Sequence, residues 1–333
     1  MLRLVFMGSD AIALPVLNWL AESGVAQVVA VFTQPDRATG RGQKIQANAI
    51  KLWAAGRGLP VLQPEKFGAT EQAQLVDYKP DLTLVMAYGH ILKQDVIDTP
   101  RLGTLNLHTS VLPKYRGASP IQTAIASGET ETGVTLMRMV RELDAGPVAA
   151  VEWVKITPLD TATEVEAKLA QACVPLLARA LPQIAAGMQK FTEQDATHAT
   201  YCRRLEKTDR ALDFTQPAAV LAARINGLNP WPGCSVQING QVVKLGLAEA
   251  LAECHIIDDT SRGPGLVFGA DPEGLLVDTG QGTLRLRQLQ RAGGRMLPAA
   301  QFLPGFPVAA GTPLASTPMP PLVGRRPFPR TKG

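Results

Sequence analysis

Leu2-Arg-Leu-Val-Phe-Met7, Ala11-Ile-Ala-Leu-Pro-Val-Leu-Asn-Trp-Leu20 and Val25-Ala-Gln-Val-Val-Ala-Val-Phe32 are the stretches on which the fold turns. Two short apolar runs flank a segment whose apolar residues recur at helical spacing, which is the pattern of a βαβ unit. The alternation continues with a helix-like stretch from Ala47 to Gly56, a strand at Leu82 to Ala87 and another at Leu102 to His108. The apolar character of Leu82-Thr-Leu-Val-Met-Ala87 suits a strand covered on both faces, as strands of parallel sheets are. The expected class is α/β: a Rossmann-like, doubly wound, mostly parallel sheet. Gly8-Ser9-Asp10 follows the first strand, but Gly-x-Gly-x-x-Gly and the P-loop pattern are both missing, so no nucleotide cofactor is expected.

Thr161 to Ile184 reads as a long helix closing this first domain, with Pro175 and Pro182 expected to bend or break it. Gly187 to Arg210 reads as a connector. Beyond it the grammar changes: one helix-like stretch at Pro217 to Gly227 precedes Val236-Gln-Ile-Asn239-Gly240-Gln-Val-Val, where Asn-Gly between alternating apolar residues signals a two-residue hairpin turn. Gly265 to Phe268, Gly274 to Asp278 and Thr283 to Leu289 read as further short strands between Gly-rich turns. That spacing predicts a small C-terminal antiparallel β-barrel of the OB type. The expected organisation is a domain over 1–189, a linker over 190–209, a second domain over 210–310 and a Pro-rich basic tail over 311–333.

At 333 residues, with 46% apolar and 19% charged residues, the chain can bury two cores and does not resemble a disordered composition. No apolar run reaches membrane-spanning length and the N-terminal run is too short for a signal peptide, so a cytoplasmic protein is expected. Cys173, Cys202, Cys234 and Cys254 show neither Cys-x-x-Cys spacing nor neighbouring His residues, and read as buried thiols rather than metal ligands. The net charge is +4, unevenly spread: from Arg203 onward 15 Lys+Arg face 10 Asp+Glu, leaving 18 against 19 before it. A basic second half suits a phosphate-bearing partner; ordinary solvated surface charge is the alternative reading.

The segment Asn106-Leu-His108-Thr-Ser-Val-Leu-Pro-Lys-Tyr-Arg-Gly117 ends a strand and enters a loop. Side chains alternate along a strand, so Asn106 and His108 share a face at the sheet edge where open α/β folds bind ligands. Asp144 lies in Glu142-Leu-Asp-Ala-Gly146, between the apolar runs Gly133 to Val140 and Val148 to Ile156. A lone Asn/His pair at a strand end, or an Asp in a turn, is commonly structural. Together the three types fit acyl transfer to an amine: a base for the amine, a donor for the developing oxyanion and a proton for the leaving nitrogen.

These residues resemble the signature of the formyltransferase family that uses 10-formyltetrahydrofolate. Its Asn-x-His, x-Ser-Leu-Leu-Pro-x-x-x-Gly and later Leu-Asp-x-Gly are matched here, with Val111 where leucine is usual. The resemblance implies that Asn106, His108 and Asp144 are catalytic. It places the folate against Ser110, Val111, Leu112 and Pro113 and against Met86, Tyr88, Gly89 and Ile91. It implies His108 as base, Asn106 as donor to the formyl oxygen and Asp144 as orienting group; the proton roles of His108 and Asp144 could be exchanged. The formyl donor would be 10-formyltetrahydrofolate, with no metal.

Family members differ in acceptor. Thr33-Gln-Pro-Asp-Arg37-Ala-Thr-Gly-Arg41-Gly-Gln-Lys44 resembles the loop that the tRNA-acting members set against the acceptor stem, which implies Arg37, Arg41 and Lys44 as tRNA-binding residues and initiator methionyl-tRNA as partner. Ile225-Asn-Gly-Leu-Asn-Pro-Trp231-Pro-Gly233 is similar to the segment entering the C-terminal barrel of the family, with Trp231 expected in a core or between domains. Amino-sugar formylation with the same folate chemistry is the alternative.

Overall fold

The computed structural model describes residues 1–39, 42, 44–251 and 263–329. The first half of the chain runs β1 Leu2–Gly8, α1 Leu14–Ser23, β2 Ala26–Phe32, β3 Arg37–Thr39, β4 Lys44–Gln46, α2 Ala49–Ala55, β5 Val61–Leu62, α3 Ala69–Asp77, β6 Leu82–Met86, α4 Gln94–Ile97 and β7 Thr104–His108. There follow β8 Arg116–Gly117, α5 Pro120–Ala126, β9 Glu131–Arg138, β10 Val148–Lys155 and α6 Ala162–Ala185. Then come β11 Tyr201–Cys202, α7 Ala218–Gly227, β12 Ser235–Ile238, β13 Gln241–Leu251, β14 Val267–Asp271, β15 Gly274–Asp278 and β16 Thr283–Arg291.

Strand β1 is buried at every position except Arg3 because it lies inside a seven-stranded sheet of order β10-β9-β7-β6-β1-β2-β5. Strands β5, β2, β1, β6 and β7 are parallel, and β9 runs antiparallel to β7. The chain builds outward from β1 through β2 to β5, then returns to place β6 and β7 on the other side. Strand order therefore reverses between β1 and β6, and their carboxyl ends border a crevice of the kind where open α/β sheets bind ligands. Gly8 is required there: a Cβ would stand 2.4 Å from the Met86 carbonyl oxygen and 2.6 Å from the Phe6 ring. One core layer joins Val5 and Met7 to Phe32, Leu75, Val85, Leu92 and Ile97.

Helix α6 corrects the expected break. It runs unbroken through Pro175 and Pro182, both on its exposed side. Val165, Leu169, Cys173, Leu176, Leu177, Leu181 and Ile184 are buried along the opposite stripe. The prolines interrupt the helix on its exposed side only, so continuous apolar burial along the other side outweighs the lost bonds.

Contacts group Met1–Arg116, Gly133–Val154 and Glu166–Ala199 into one unit; Gly117–Thr132, Lys155–Val165 and the chain from Thr200 form the other. In the second unit β12, β13, β16, β15 and β14 are consecutive neighbours in an antiparallel sheet. Asn239 and Gly240 adopt φ 49° and 73° between β12 and β13, the left-handed pair that a type I′ turn needs. Helix α7 closes this core with Leu221, Ala222 and Ile225 against Val243, Leu245 and Leu286. It also meets α5 so closely that a Cβ on Gly227 would lie 2.6 Å from the Ala126 amide nitrogen.

Residues 312–329 are largely irregular but tied down. Leu314 and Leu322 are buried, Thr317 N donates to Leu212 O at 2.7 Å, and Val323 and Gly324 pair with Cys202 and Tyr201 of β11. Trp231 is 54% exposed, which corrects its expected core or interdomain place; Leu228 and Cys234 on either side supply the buried positions instead. Cys173, Cys202 and Cys234 are buried thiols in no disulfide, and burial pushes Cys173 and Cys234 up to about 12. Cys254 lies outside the described residues. No helix among the described residues is long and apolar enough to cross a membrane.

Candidate active site

Strand β7 buries Leu105 and Leu107, leaving Asn106 half-buried and His108 at its carboxyl end. Asn106 is level with Met137 of β9, and His108 with Thr135. Thr135 holds the loop that follows: its hydroxyl donates to Ser110 O at 2.7 Å and accepts from Leu112 N at 3.1 Å. The Ser110 hydroxyl donates to Lys114 O at 2.7 Å, curling the loop back so that the Tyr115 carbonyl lies 2.9 Å from His108 Nε2. A carbonyl can only accept, so Nε2 carries the proton. In the neutral ring Nδ1 is then the basic nitrogen.

Asp144 sits between β9 and β10 at φ 49°, and its Oδ2 lies 3.8 Å from His108 Nδ1. The two side chains are 7% and 14% exposed, for His108 and Asp144 respectively. The turn presses close to β9: a Cβ on Gly146 would lie 1.9 Å from the Arg138 carbonyl oxygen. Gln194 reaches the turn from the segment after α6. Its Nε2 donates to Asp144 O at 2.9 Å and Gly146 O at 2.7 Å, while its Oε1 accepts from Arg116 Nε at 3.1 Å and Nη2 at 2.7 Å. Arg116 is only 4% exposed. Sequence reasoning assigned no role to Thr135, Arg116 or Gln194. Gln194 lies in what reads as a plain connector, with no local pattern to single it out.

The expected folate residues divide. Ser110 and Leu112 are buried and Val111 and Pro113 half-buried in the loop after β7. Met86 ends β6 buried, whereas Gly89 and Ile91 are exposed. The Tyr88 ring belongs to the core layer under the sheet, where burial, with Glu71 nearby, pushes its phenol well above the ordinary range. Tyr88 therefore offers the crevice its backbone rather than its ring: its carbonyl accepts from Gln34 Nε2 at 3.1 Å.

The Thr33–Lys44 segment holds a strand pair, with Arg37 opposite Gln46 and Thr39 opposite Lys44. Its base is fixed to the sheet. Gln34 N donates to Ser9 Oγ at 2.9 Å, and Asn48, which caps α2, donates to Gln34 O at 3.0 Å. Asp36 is held by Gln63 at 2.7 Å and Lys51 at 2.6 Å, and its carboxyl lies below the usual range, the Gln63 bond being the largest cause. Arg37 and Lys44 are exposed, and Arg41 lies outside the described residues. Among the described residues no group of three or more His, Cys, Asp or Glu side chains could hold a metal ion.

Residues 2–181 match the family described as formyl transferase, and residues 204–307 match the formyl transferase C-terminal domain. The chain belongs to the formyl transferase family. This formyl transferase is 40% identical over 326 residues to a methionyl-tRNA formyltransferase of Ralstonia nicotianae, covering 95% of this chain and 98% of the relative. It is 42% identical over 297 residues to a Pseudomonas fluorescens methionyl-tRNA formyltransferase, covering 89% and 91%. Among solved structures its fold is similar to the sugar 3N-formyl transferase WlaRD, with TM-score 0.63, 18% identity and coverage of 89% of this chain and 99% of that one. HypX from Aquifex aeolicus, solved with tetrahydrofolic acid, matches with TM-score 0.57 and 19% identity, over 91% of this chain and 47% of HypX.

Proposed function

We propose that this chain moves the formyl group of 10-formyltetrahydrofolate to the α-amino group of initiator methionyl-tRNA, in the cytoplasm, where translation begins. The observation that carries the reading is the orientation of His108. Its Nε2 is committed to the Tyr115 carbonyl at 2.9 Å, so the nitrogen turned toward Asp144 is the one able to take a proton. The amine attacks the formyl carbon, and Asn106 donates to the oxygen as it becomes an oxyanion. His108 accepts the amine's proton through Nδ1, with Asp144 favouring the imidazolium that results. The carbon–nitrogen bond to folate then breaks, and the same proton can pass to the departing nitrogen. An exchange of roles, in which Asp144 relays the proton and His108 stabilises charge, uses the same atoms.

The folate would lie in the crevice at the carboxyl ends of β1, β6 and β7, along Met86, Tyr88, Gly89 and Ile91 and along Ser110, Val111, Leu112 and Pro113. Arg37 and Lys44 on the strand pair, with Arg41 between them in sequence, would meet the tRNA, as the similarity to tRNA-acting relatives supports. The second domain, over 210–310, would close its antiparallel sheet as an OB-type barrel and supply sequence-tolerant phosphate contacts. From Arg203 onward several cations are already engaged: Arg203 pairs with Asp209, Arg285 with Asp271, and Arg287 with Glu249. The tRNA contacts therefore fall to exposed residues such as Arg204, Lys207, Arg210, Lys244 and Arg295. Formyl transfer from 10-formyltetrahydrofolate, assayed with charged initiator tRNA and with a nucleotide-linked amino sugar in parallel, tests the reading. Product on the sugar and none on the tRNA would overturn it.

A further inference from the structure

Two ring nitrogens of His108 are addressed from two separate segments, Tyr115 on one side and Asp144 on the other. Those segments are joined by a path that avoids the imidazole. Arg116, next to Tyr115, donates through Nε and Nη2 to Gln194 Oε1, and Gln194 Nε2 donates to the carbonyl oxygens of Asp144 and Gly146. The result is a closed ring: imidazole, Tyr115 carbonyl, Arg116 guanidinium, Gln194 amide, Asp144 backbone, Asp144 carboxylate.

We infer that Gln194 is a positioning residue for the formyl transfer, holding Asp144 against His108 by gripping the two carbonyls of its turn. An amide is the side chain this junction requires. Arg116 offers only hydrogens and the two carbonyls offer only lone pairs, so the residue between them must accept on one end and donate on the other. Asparagine has the same groups on a stem one carbon shorter. The turn needs such a hold because Asp144 stands at φ 49°, a conformation that L-residues adopt at a cost and keep only when surrounding structure enforces it. Gly146 adds to the constraint, since its closeness to Arg138 O leaves the turn no inward freedom. Arg116 is nearly buried and donates through two of its nitrogens to the Gln194 oxygen, which polarises the amide and strengthens both donations.

The inference rests on the reading of His108 and Asp144 as the acid/base pair, and its test separates the two. Gln194→Glu keeps the shape and the acceptor for Arg116 but presents no hydrogen to the Asp144 and Gly146 carbonyls; Gln194→Leu removes both ends. Each is compared with wild type and with Asp144→Asn for formyl transfer to charged initiator tRNA, with folding followed by circular dichroism. Both Gln194 variants should lose kcat by about tenfold to a hundredfold, the size of effect that misplacing a reacting group produces. The KM for the formyl donor should stay within about twofold, because the lost interaction serves the transition state and not ground-state binding. Wild-type kcat in Gln194→Glu would overturn the inference whatever Gln194→Leu does, since it would reduce Gln194 to a cap for Arg116. A matched rise in donor KM with unchanged kcat would overturn it too. A fully active Asp144→Asn would bring down the acid/base reading itself, and this inference with it; a crippled Asp144→Asn beside a fully active Gln194→Glu would remove this inference alone.

Discussion

His108 Nδ1 and Asp144 Oδ2 face one another at 3.8 Å, too far for a hydrogen bond and close enough for a strong charge interaction once the imidazole is protonated. The carboxylate is therefore placed to matter most after proton transfer, when His108 is cationic. Both groups are largely buried, so solvent screens the pair only weakly.

From that relationship, Asp144→Asn and His108→Asn should each lower kcat by roughly two orders of magnitude or more, the usual worth of a positioned acid or base. Folding should be retained, since neither side chain belongs to the apolar core. Single-turnover formylation alongside a thermal melt checks both points. A folded Asp144→Asn protein with normal turnover would take Asp144 out of the mechanism.

The strand pair β3–β4 carries Arg37 and Lys44 on a base fixed to the sheet by Asp36, Gln34 and Asn48. Arg37→Ala with Lys44→Ala should weaken tRNA binding and lower the slope of log affinity against log salt by about one for each phosphate that is no longer neutralised. Folate affinity should not move. An unchanged salt slope would mean that neither residue touches the tRNA backbone.

Gly8→Ala places a methyl 2.4 Å from the Met86 carbonyl oxygen, where β1 and β6 meet. The two strands must separate to admit it. The expected cost is about 1–3 kcal/mol, as for other overpacked cores, read as a lower urea midpoint at constant slope. A wild-type midpoint would show that the crevice widens freely.

Asp81 accepts from Arg3 N at 2.9 Å and from Arg101 Nη2 at 3.0 Å, and the Arg3 bond is the largest of the influences holding its carboxyl below the usual range. A carboxyl depressed in the folded state contributes stability that is present above its unfolded value, about 3.9. That contribution is lost as pH falls through the lower folded value. The melting temperatures of wild type and Asp81→Asn should therefore differ near neutral pH and converge in strong acid. A gap that persisted at the lowest pH would assign the effect to packing instead.

Local pattern determined most of the elements. β1, β2, β6 and β7 lie where short, mostly apolar runs predict them, because a strand covered on both faces keeps few polar positions. Asn239-Gly240 set its own turn, since only residues tolerating positive φ fit there. The spacing of Asn106 and His108 fixed their common face before any fold was known. Tertiary structure decided the rest. Helix α6 survives two prolines because its buried stripe is longer than either interruption, and Trp231 is exposed while Leu228 and Cys234 on either side of it are buried. Gln194 meets Asp144 across 50 positions and Arg116 across 78. No periodicity spans such a distance: which carbonyls an amide will grip depends on where the folded sheet brings the chain back, and a sequence carries no local mark of that return.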